Sequence, residues 1–258
     1  MDYPELVPGI LLRRYKRFLS DVRLADGREV VAHCPNTGSM RAVNVPGCRV
    51  WLAPSNNPAR KLAWTWELIE LPQQDGSLAL ASVHTGRANR IVEEALLAGR
   101  VATLAGYATL KREAKVTTDG GKVASRLDFR LDDPQWGAAF VEVKQVTLKE
   151  SDGHGYFPDA VSERGRRHLG VLGDLVAQGH RAVLLFCVAH TGIGDVAAAS
   201  HLDPAYALAL GEAAERGVEI LAHGCRVDCL EGAPHAIRLA EALPVSLTRQ
   251  LDMALGID

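Results

Sequence analysis

The chain changes texture near residue 85. Before that point it reads as short extended runs broken by turn signals; after it, helix and strand patterns alternate. One layer arrangement does not accommodate both patterns, so two architectures in series are expected. Leu11–Leu24 reads as one long strand or two, and Asp26-Gly27 is a hairpin signal. Glu29–His33, Cys48–Ala53, Ala63–Leu71 and Ser77–His84 follow as extended runs, with prolines 35, 46, 54, 58 and 72 between them. Roughly five strands in so short a span suggest a small barrel or a curled antiparallel sheet. In the second part, Ala88–Leu97 reads as a helix, and Ser125–Leu131 and Ala138–Val146 as strands. Asp159–Gln178 has helical spacing of Val161, Leu169, Leu172, Leu175 and Val176. Arg181–Ala189 is a continuous apolar run of the kind found in a strand covered on both faces. Pro204–Arg216 reads as a helix with Ala205, Leu208 and Ala209 inward, followed by Gly217 and a strand at Val218–His223. The expected architecture is an all-β, OB-like barrel over residues 1–82, then an α/β domain with a mixed sheet over 83–258. The final turn, Thr248–Asp258, is expected to be loosely held.

With 258 residues, 47% of them hydrophobic and a net charge of −2, the chain is neither a disordered segment nor a uniformly cationic nucleic-acid coat. The near-neutral total hides a division: residues 1–82 carry a net +2 and the remainder a net −4. Cys34, Cys48, Cys187, Cys225 and Cys229 are odd in number and irregular in spacing, which fits free thiols in a reducing compartment. The N-terminal MDYPELVPGI lacks the pattern of a secretion signal, and no apolar run reaches the ~18 residues of a membrane span. A cytoplasmic protein with no membrane partner is expected.

Chemistry concentrates in Arg126-Leu127-Asp128-Phe129-Arg130 and Phe140-Val141-Glu142-Val143-Lys144. Alternate strand residues share a face, so Phe140, Glu142 and Lys144 project together and Val141 and Val143 oppose them. An acid and a lysine on an apolar strand are expensive to bury unless paired or holding a metal. Asp128 lies fourteen residues before Glu142, across a turn at Asp132–Pro134, a spacing that sets the two carboxylates side by side in a hairpin. Two carboxylates suit Mg²⁺ or Mn²⁺, which would activate a water, with the lysine stabilising charge on a phosphate. Acid, hairpin, then E-x-K is similar to the layout of the PD-(D/E)XK nucleases, with Leu127 where those have proline. E-x-K alone is a weak pattern that also arises by chance; the upstream acid is what sharpens it.

A further acid, Glu94, stands on the first helix beside its inward stripe of Ile91 and Ala95, and is equally readable as a solvent-facing residue. Arg90 accompanies it. On Asp159–Gln178, Arg164 and His168 share a face, and Arg166 and Arg167 add charge; the helix reads as a phosphate grip or as a solvated basic face. In the first domain, the run Leu12–Phe18 interleaves Arg13, Arg14, Lys16 and Arg17 with Tyr15 and Phe18, as small barrels do when they hold nucleic-acid strands. Asn36, in the turn His33–Met40, offers donors to phosphates or simply bonds within the turn.

These segments together resemble the sugar fermentation stimulation protein A family. The carriers are R-Y-K-R-F-L at 14–19, H-C-P-N-T-G-S-M at 33–40, T-W-E-L at 65–68, A-N-R at 88–90, S-R-L-D-F at 125–129, V-E-V-K-Q-V-T-L at 141–148, G-Y-F-P-D-A-V-S-E-R-G at 155–165 and R-G-V-E-I-L-A at 216–222. The resemblance spans about residues 10–245, in order. It implies a cytoplasmic bacterial or archaeal protein with an N-terminal OB-like barrel, a C-terminal PD-(D/E)XK nuclease-like domain, and DNA as partner. Carried over position by position, it implies Asp128, Glu142 and Lys144 as catalytic and Glu94, Asp128 and Glu142 as ligands of Mg²⁺ or Mn²⁺. Arg13, Arg14, Lys16, Arg17, Asn36, Arg90, Arg126, Arg164 and Arg167 are the candidate nucleic-acid contacts. The leading expectation is a metal-dependent nuclease. The alternative is a non-catalytic DNA-binding regulator of sugar (maltose) metabolism genes on the same scaffold. A sugar-directed enzyme ranks third, since the chain has no Gly-rich phosphate loop and no triad. RNA as partner and a homodimer are left open.

Overall fold

The structure is a computed structural model describing residues 1–55, 57, 59–117 and 123–251. The tail expectation for Thr248–Asp258 therefore falls, from residue 252 on, outside the described residues.

The first part is built from β1 (Val7–Tyr15), β2 (Leu19–Leu24), β3 (Glu29–His33), β4 (Arg49–Pro54), β5 (Trp64–Pro72) and β6 (Leu78–Ser82). Their order is β3-β2-β1-β4-β5-β6, and a parallel pairing of β3 with β5 closes the first five into a barrel. Closure removes the free edges that five short strands would otherwise expose. Leu11, Val22, Val50, Leu52, Trp66 and Ile69 fill the interior. The expected extended run Leu12–Phe18 ends at Tyr15. Lys16 and Arg17 both take positive φ (49° and 65°) in the turn that joins β1 to β2.

The second part comprises α1 (Gly86–Leu97), a one-turn 3₁₀ helix at Ala102–Leu104, β7 (Thr109–Thr117), β8 (Val123–Asp133), β9 (Gly137–Val146), β10 (Leu148–Lys149), β11 (Gly155–Phe157), α2 (Glu163–Ala177), β12 (Arg181–Val188), β13 (Val196–Ala198), α3 (Pro204–Glu215), β14 (Glu219–Leu230), β15 (Ala233–Ala242) and β16 (Val245–Ser246). The main sheet has the order β15-β14-β12-β9-β8-β7. Its centre is parallel, with β12 between β9 and β14, and its outer pairs are antiparallel. The apolar run at 181–188 is the covered strand β12, whose residues from Ala182 on are all buried. A small sheet, β10-β11-β13-β16, flanks the end of β9.

Helix α1 lays Ala88, Ile91, Val92, Ala95 and Leu96 on one face of the sheet, whereas α2 buries Leu169, Leu172 and Leu175 on the other. Two helical readings are corrected. α2 starts at Glu163, not Asp159, because Ser162 Oγ caps it by accepting from Gly165 N (3.2 Å), and Val161 is exposed. α3 buries Tyr206, Leu210 and Ala213 while Leu208 is exposed. In a helix rich in alanine and leucine the apolar periodicity is weak and does not select a face; Asp203 fixes its start by accepting from Tyr206 N (3.0 Å).

Barrel and sheet share a core. Trp51, Ala53 and Leu68 of the barrel pack in one apolar cluster with Ile91 of α1 and Val141 of β9. The backbone of β6 bonds the segment after β12: Ser82 N donates to Ala189 O (2.8 Å) and Thr191 N to Leu80 O (2.9 Å). Residues 1–3 leave the barrel altogether: Tyr3 N donates to His235 O (2.8 Å), beside β15.

Candidate metal and phosphate site

β8 and β9 run as an antiparallel pair from Asp133↔Gly137 to Phe129↔Val141, and there the ladder ends. The next residue, Asp128, takes over with its side chain: Oδ2 accepts from Val143 N (2.8 Å). Its other oxygen accepts from Asn89 Nδ2 of α1 (2.7 Å). The strand turns over at this point, since Phe129 packs in the α1-side core and Leu127, two residues away, in the α2-side core. On the other side of β8 the register passes from Arg112↔Phe129 to Ala114↔Leu127, skipping Glu113, which has a φ of +52°. The register is unchanged across the gap, so Asp128 falls opposite the one residue of β7 whose φ is positive.

Glu142 and Lys144 project from the same face of β9, as the period of two requires. Glu142 is 3% exposed. Its Oε1 accepts from Lys144 Nζ (2.6 Å) and is bonded by Nδ1 of the buried His168 of α2. Its Oε2 is buried and has no hydrogen-bond partner among the described residues. An orphaned carboxylate oxygen in an apolar surround is costly unless a cation completes it. Burial pushes the Asp128 carboxyl above the ordinary carboxylate value, and the charge of Glu142 adds to this. Burial also acts upward on Glu142, but the His168 hydrogen bond and the charge of Lys144 outweigh it and hold that carboxyl below its ordinary value. Two carboxylates, one with a free buried oxygen, fit a hard divalent ion that keeps most of its waters. No group of three or more His, Cys, Asp or Glu side chains converges anywhere among the described residues, so protein ligands beyond these two would have to be of another kind.

The structure does not bring the expected third acid, Glu94, to this pair. Its carboxylate meets the N-terminal ammonium of Met1 (2.5 Å) and Arg90 (3.5 Å), whereas Asn89 is the α1 residue that reaches Asp128. Glu94 is five positions on from Asn89 and faces another side of the helix. Glu94 is therefore not among the side chains that meet Asp128 or Glu142 in this structure. Arg90 is spent on the same pair. Arg14 supports the barrel loop rather than facing outward, donating to the carbonyls of Arg17, Asn36 and Gly38. Arg13 pairs with Asp21 (2.7 Å) and lies over the Tyr15 ring (4.9 Å). Lys16 and Arg17 are exposed in the β1–β2 turn. Arg126 pairs loosely with Glu113 (3.4 Å), and Arg164 donates to Nε2 of His168 (3.5 Å); Arg167 is exposed on α2.

Asn36 does come to the site. Its loop is fastened by Arg14, by Thr85 Oγ1 donating to Pro35 O (2.9 Å), and by Asp159, whose Oδ2 accepts from Ser39 Oγ and Met40 N (both 2.9 Å). The loop thereby roofs a cavity of about 330 Å³ whose floor is β9, with Lys144 and Asn89 in its wall. From the sequence, Asp159 reads as a cap or first-turn residue of its helix and His168 as part of a basic helix face, while Asn89 and Gln145 carry no role of their own. Each works across elements far apart in the chain, and Asn89, Gln145 and Asp159 leave their trace only as members of the A-N-R, V-E-V-K-Q and Y-F-P-D motifs.

The fold and this site define a protein class: an OB barrel joined to an α/β domain with a mixed sheet and a paired-carboxylate centre. Family models agree on both halves. Residues 12–80 match the SfsA N-terminal OB domain and residues 86–231 the sugar fermentation stimulation protein RE domain. The chain belongs to the sugar fermentation stimulation protein family. A homolog from Chromohalobacter salexigens is 65% identical over 98% of both chains, and one from Shewanella piezotolerans 49% identical over 95% of this chain and 98% of the other. Among solved structures, the Pyrococcus furiosus SfsA in complex with Ca²⁺ is 29% identical, with a TM-score of 0.80 over 95% of this chain and 98% of that one. No helix of the described residues is long and apolar enough to cross a membrane.

Proposed function

We propose that the protein is a metal-dependent nuclease acting on DNA, with Asp128 and Glu142 holding Mg²⁺ or Mn²⁺ and Lys144 serving the phosphate. The observation that carries this reading is the division of labour at Glu142. One oxygen is saturated by Lys144 and His168, and the other is buried, unpartnered and next to a second carboxylate. The Ca²⁺ complex of the Pyrococcus furiosus relative supports a divalent ion in this family. When bound, the ion would neutralise phosphate charge and lower the pKa of a water.

The chain's own groups do the positioning. Val143 N and Asn89 Nδ2 hold the Asp128 carboxylate by one oxygen each. His168 and Lys144 fix the Glu142 rotamer, and the Lys144 ammonium is left at the cavity wall, where it can meet a phosphate oxygen as a cation. Lys16 and Arg17 at the barrel turn, and Arg126, Arg164 and Arg167 on the α/β half, are the side chains that would meet the nucleic-acid backbone, and affinity should fall as salt rises. The test is cleavage of single- and double-stranded DNA and RNA with Mg²⁺ and with Mn²⁺, by wild type and by Asp128→Ala. Metal-dependent cleavage lost in the variant is expected. Retained DNA binding with no cleavage under any of these conditions would leave the non-catalytic regulator as the function.

A further inference from the structure

The cavity under the barrel loop has a chemistry of its own. Besides the charged Lys144 and Asp159, it is lined by neutral hydrogen-bonding groups (Asn36, Thr37, Gln145 and Thr147) and by apolar residues such as Leu148 and Phe157. Gln145 Oε1 is buried without a partner, while its Nε2 is committed to Ser82 O. Asn36 Oδ1 accepts from Gly38 N (2.8 Å), and among the described residues its Nδ2 has no acceptor. The cavity wall thus offers amide and hydroxyl side chains, and the Gln145 amide is fixed in it by Ser82 O. The carboxylate of Asp159, which also lines the cavity, disfavours an anion on its side and leaves Lys144 as the place for a phosphate.

Neutral donors and acceptors around an apolar wall suit a flat heteroaromatic ring with a polar edge. At about 330 Å³ the cavity lies at the small end of ligand pockets, which run from about 300 to 1,000 Å³. It has room for one nucleotide unit and none for a base pair with two backbones. Its wall residues Asn89 and Lys144 are the ones that touch Asp128 and Glu142, so a base seated here has its own phosphate beside the carboxylate pair.

We infer that this cavity is a subsite for a single unpaired nucleobase adjoining the scissile phosphate, so that the substrate is single-stranded or presents a base swung out of its stack. A base leaves a duplex only at a cost, which makes unpaired or damaged strands the preferred ligands. This rests on the nuclease reading above. It adds the substrate class and makes the barrel loop part of the site.

The experiment is an abasic scan. A fluorescent single-stranded oligonucleotide and a set carrying one abasic residue at each successive position are titrated with wild type in Ca²⁺, followed by anisotropy, and then cleaved in Mn²⁺. One abasic position is expected to weaken binding by about 5- to 100-fold, the range of one lost base contact, with cleavage displaced or lost next to it. The matching duplex should bind more weakly than the strand. Thr37→Trp, on an exposed loop position, should block the cavity, weaken the intact strand to the abasic level and flatten the scan. Should that variant fold poorly by circular dichroism, Thr147→Val and the wild-type scan decide alone. A flat scan with binding and cleavage retained overturns the subsite and leaves the nuclease reading standing. Absence of both binding and cleavage for every nucleic acid overturns that reading and the subsite with it.

Discussion

Asp128 supplies with a carboxylate the rung that β8 and β9 leave out. The cost is a half-buried charge beside Glu142. Asp128→Asn keeps an oxygen for Val143 N and removes that charge. The metal-free variant should therefore be as stable as wild type or more so, by about 0.5–2 kcal/mol in urea titration, the usual size of relief at a functional site. Calorimetry should show its Mn²⁺ affinity at least tenfold lower; a loss of stability instead would mean the carboxylate is not a strained group. His168→Ala should be costly in a different way. It strips a partner from a buried carboxylate, worth about 3 kcal/mol, read as a lower urea midpoint. Lys144→Ala should leave Mn²⁺ binding in place and remove cleavage. Glu142, Lys144 and Asp128 were legible because strand period and hairpin spacing are local properties. His168 was not, because its partner lies 26 residues back on another element and the surrounding Arg164, Arg166 and Arg167 make the helix read as a surface.

Among the elements, the loop 33–40 is the one whose role the sequence understated. It looks like an ordinary turn with Asx bonding, and it has that bond. What places it over β9 is a contact 120 residues distant, from Ser39 to Asp159. Asp159→Ala removes the acceptor for Ser39 Oγ and Met40 N together. Amide exchange at residues 36–40 should quicken and kcat fall severalfold, with Mn²⁺ affinity unchanged; equal exchange in both proteins would show that Arg14 and Thr85 suffice. The same contact explains why Asp159 does not cap α2, a role left to Ser162. β7 escaped the sequence reading for another reason. Its TLKREAKVT sets Leu110, Ala114 and Val116 against a polar side, but Arg112 interrupts the apolar side and leaves the period of two weak. β12, apolar throughout, was plain.

The whole molecule behaves as one body because its two folds share a core and a backbone seam. Trp51 and Trp66 report on the barrel and far-UV circular dichroism chiefly on the helices of the other half, so thermal unfolding followed by both should give coincident transitions. His190 sits in that seam, bridged to Ala81, with Nδ1 accepting from Gly192 N (3.0 Å). Burial, with the charge of Lys149, lowers its pKa from 6.5 to about 4. The folded state thus prefers the neutral ring. The associated stability is complete above pH 6.5 and is lost as pH falls from there to about 4, amounting to about 3 kcal/mol at the linkage rate of about 1.4 kcal/mol per pH unit. His190→Asn, which retains an acceptor for Gly192, should flatten stability against pH in that window; an unchanged slope would place the titration elsewhere. The division at residue 85 was visible in the pattern of the chain, but the sharing of Trp51 and Leu68 with Ile91 and Val141 was not, since each reads simply as apolar. That shared seam has a bearing on recombining the halves. A barrel exchanged between two relatives would arrive with side chains shaped for another neighbour, so a chimera of two halves should be less stable than either parent unless Trp51, Leu68, Ile91 and Val141 are moved together.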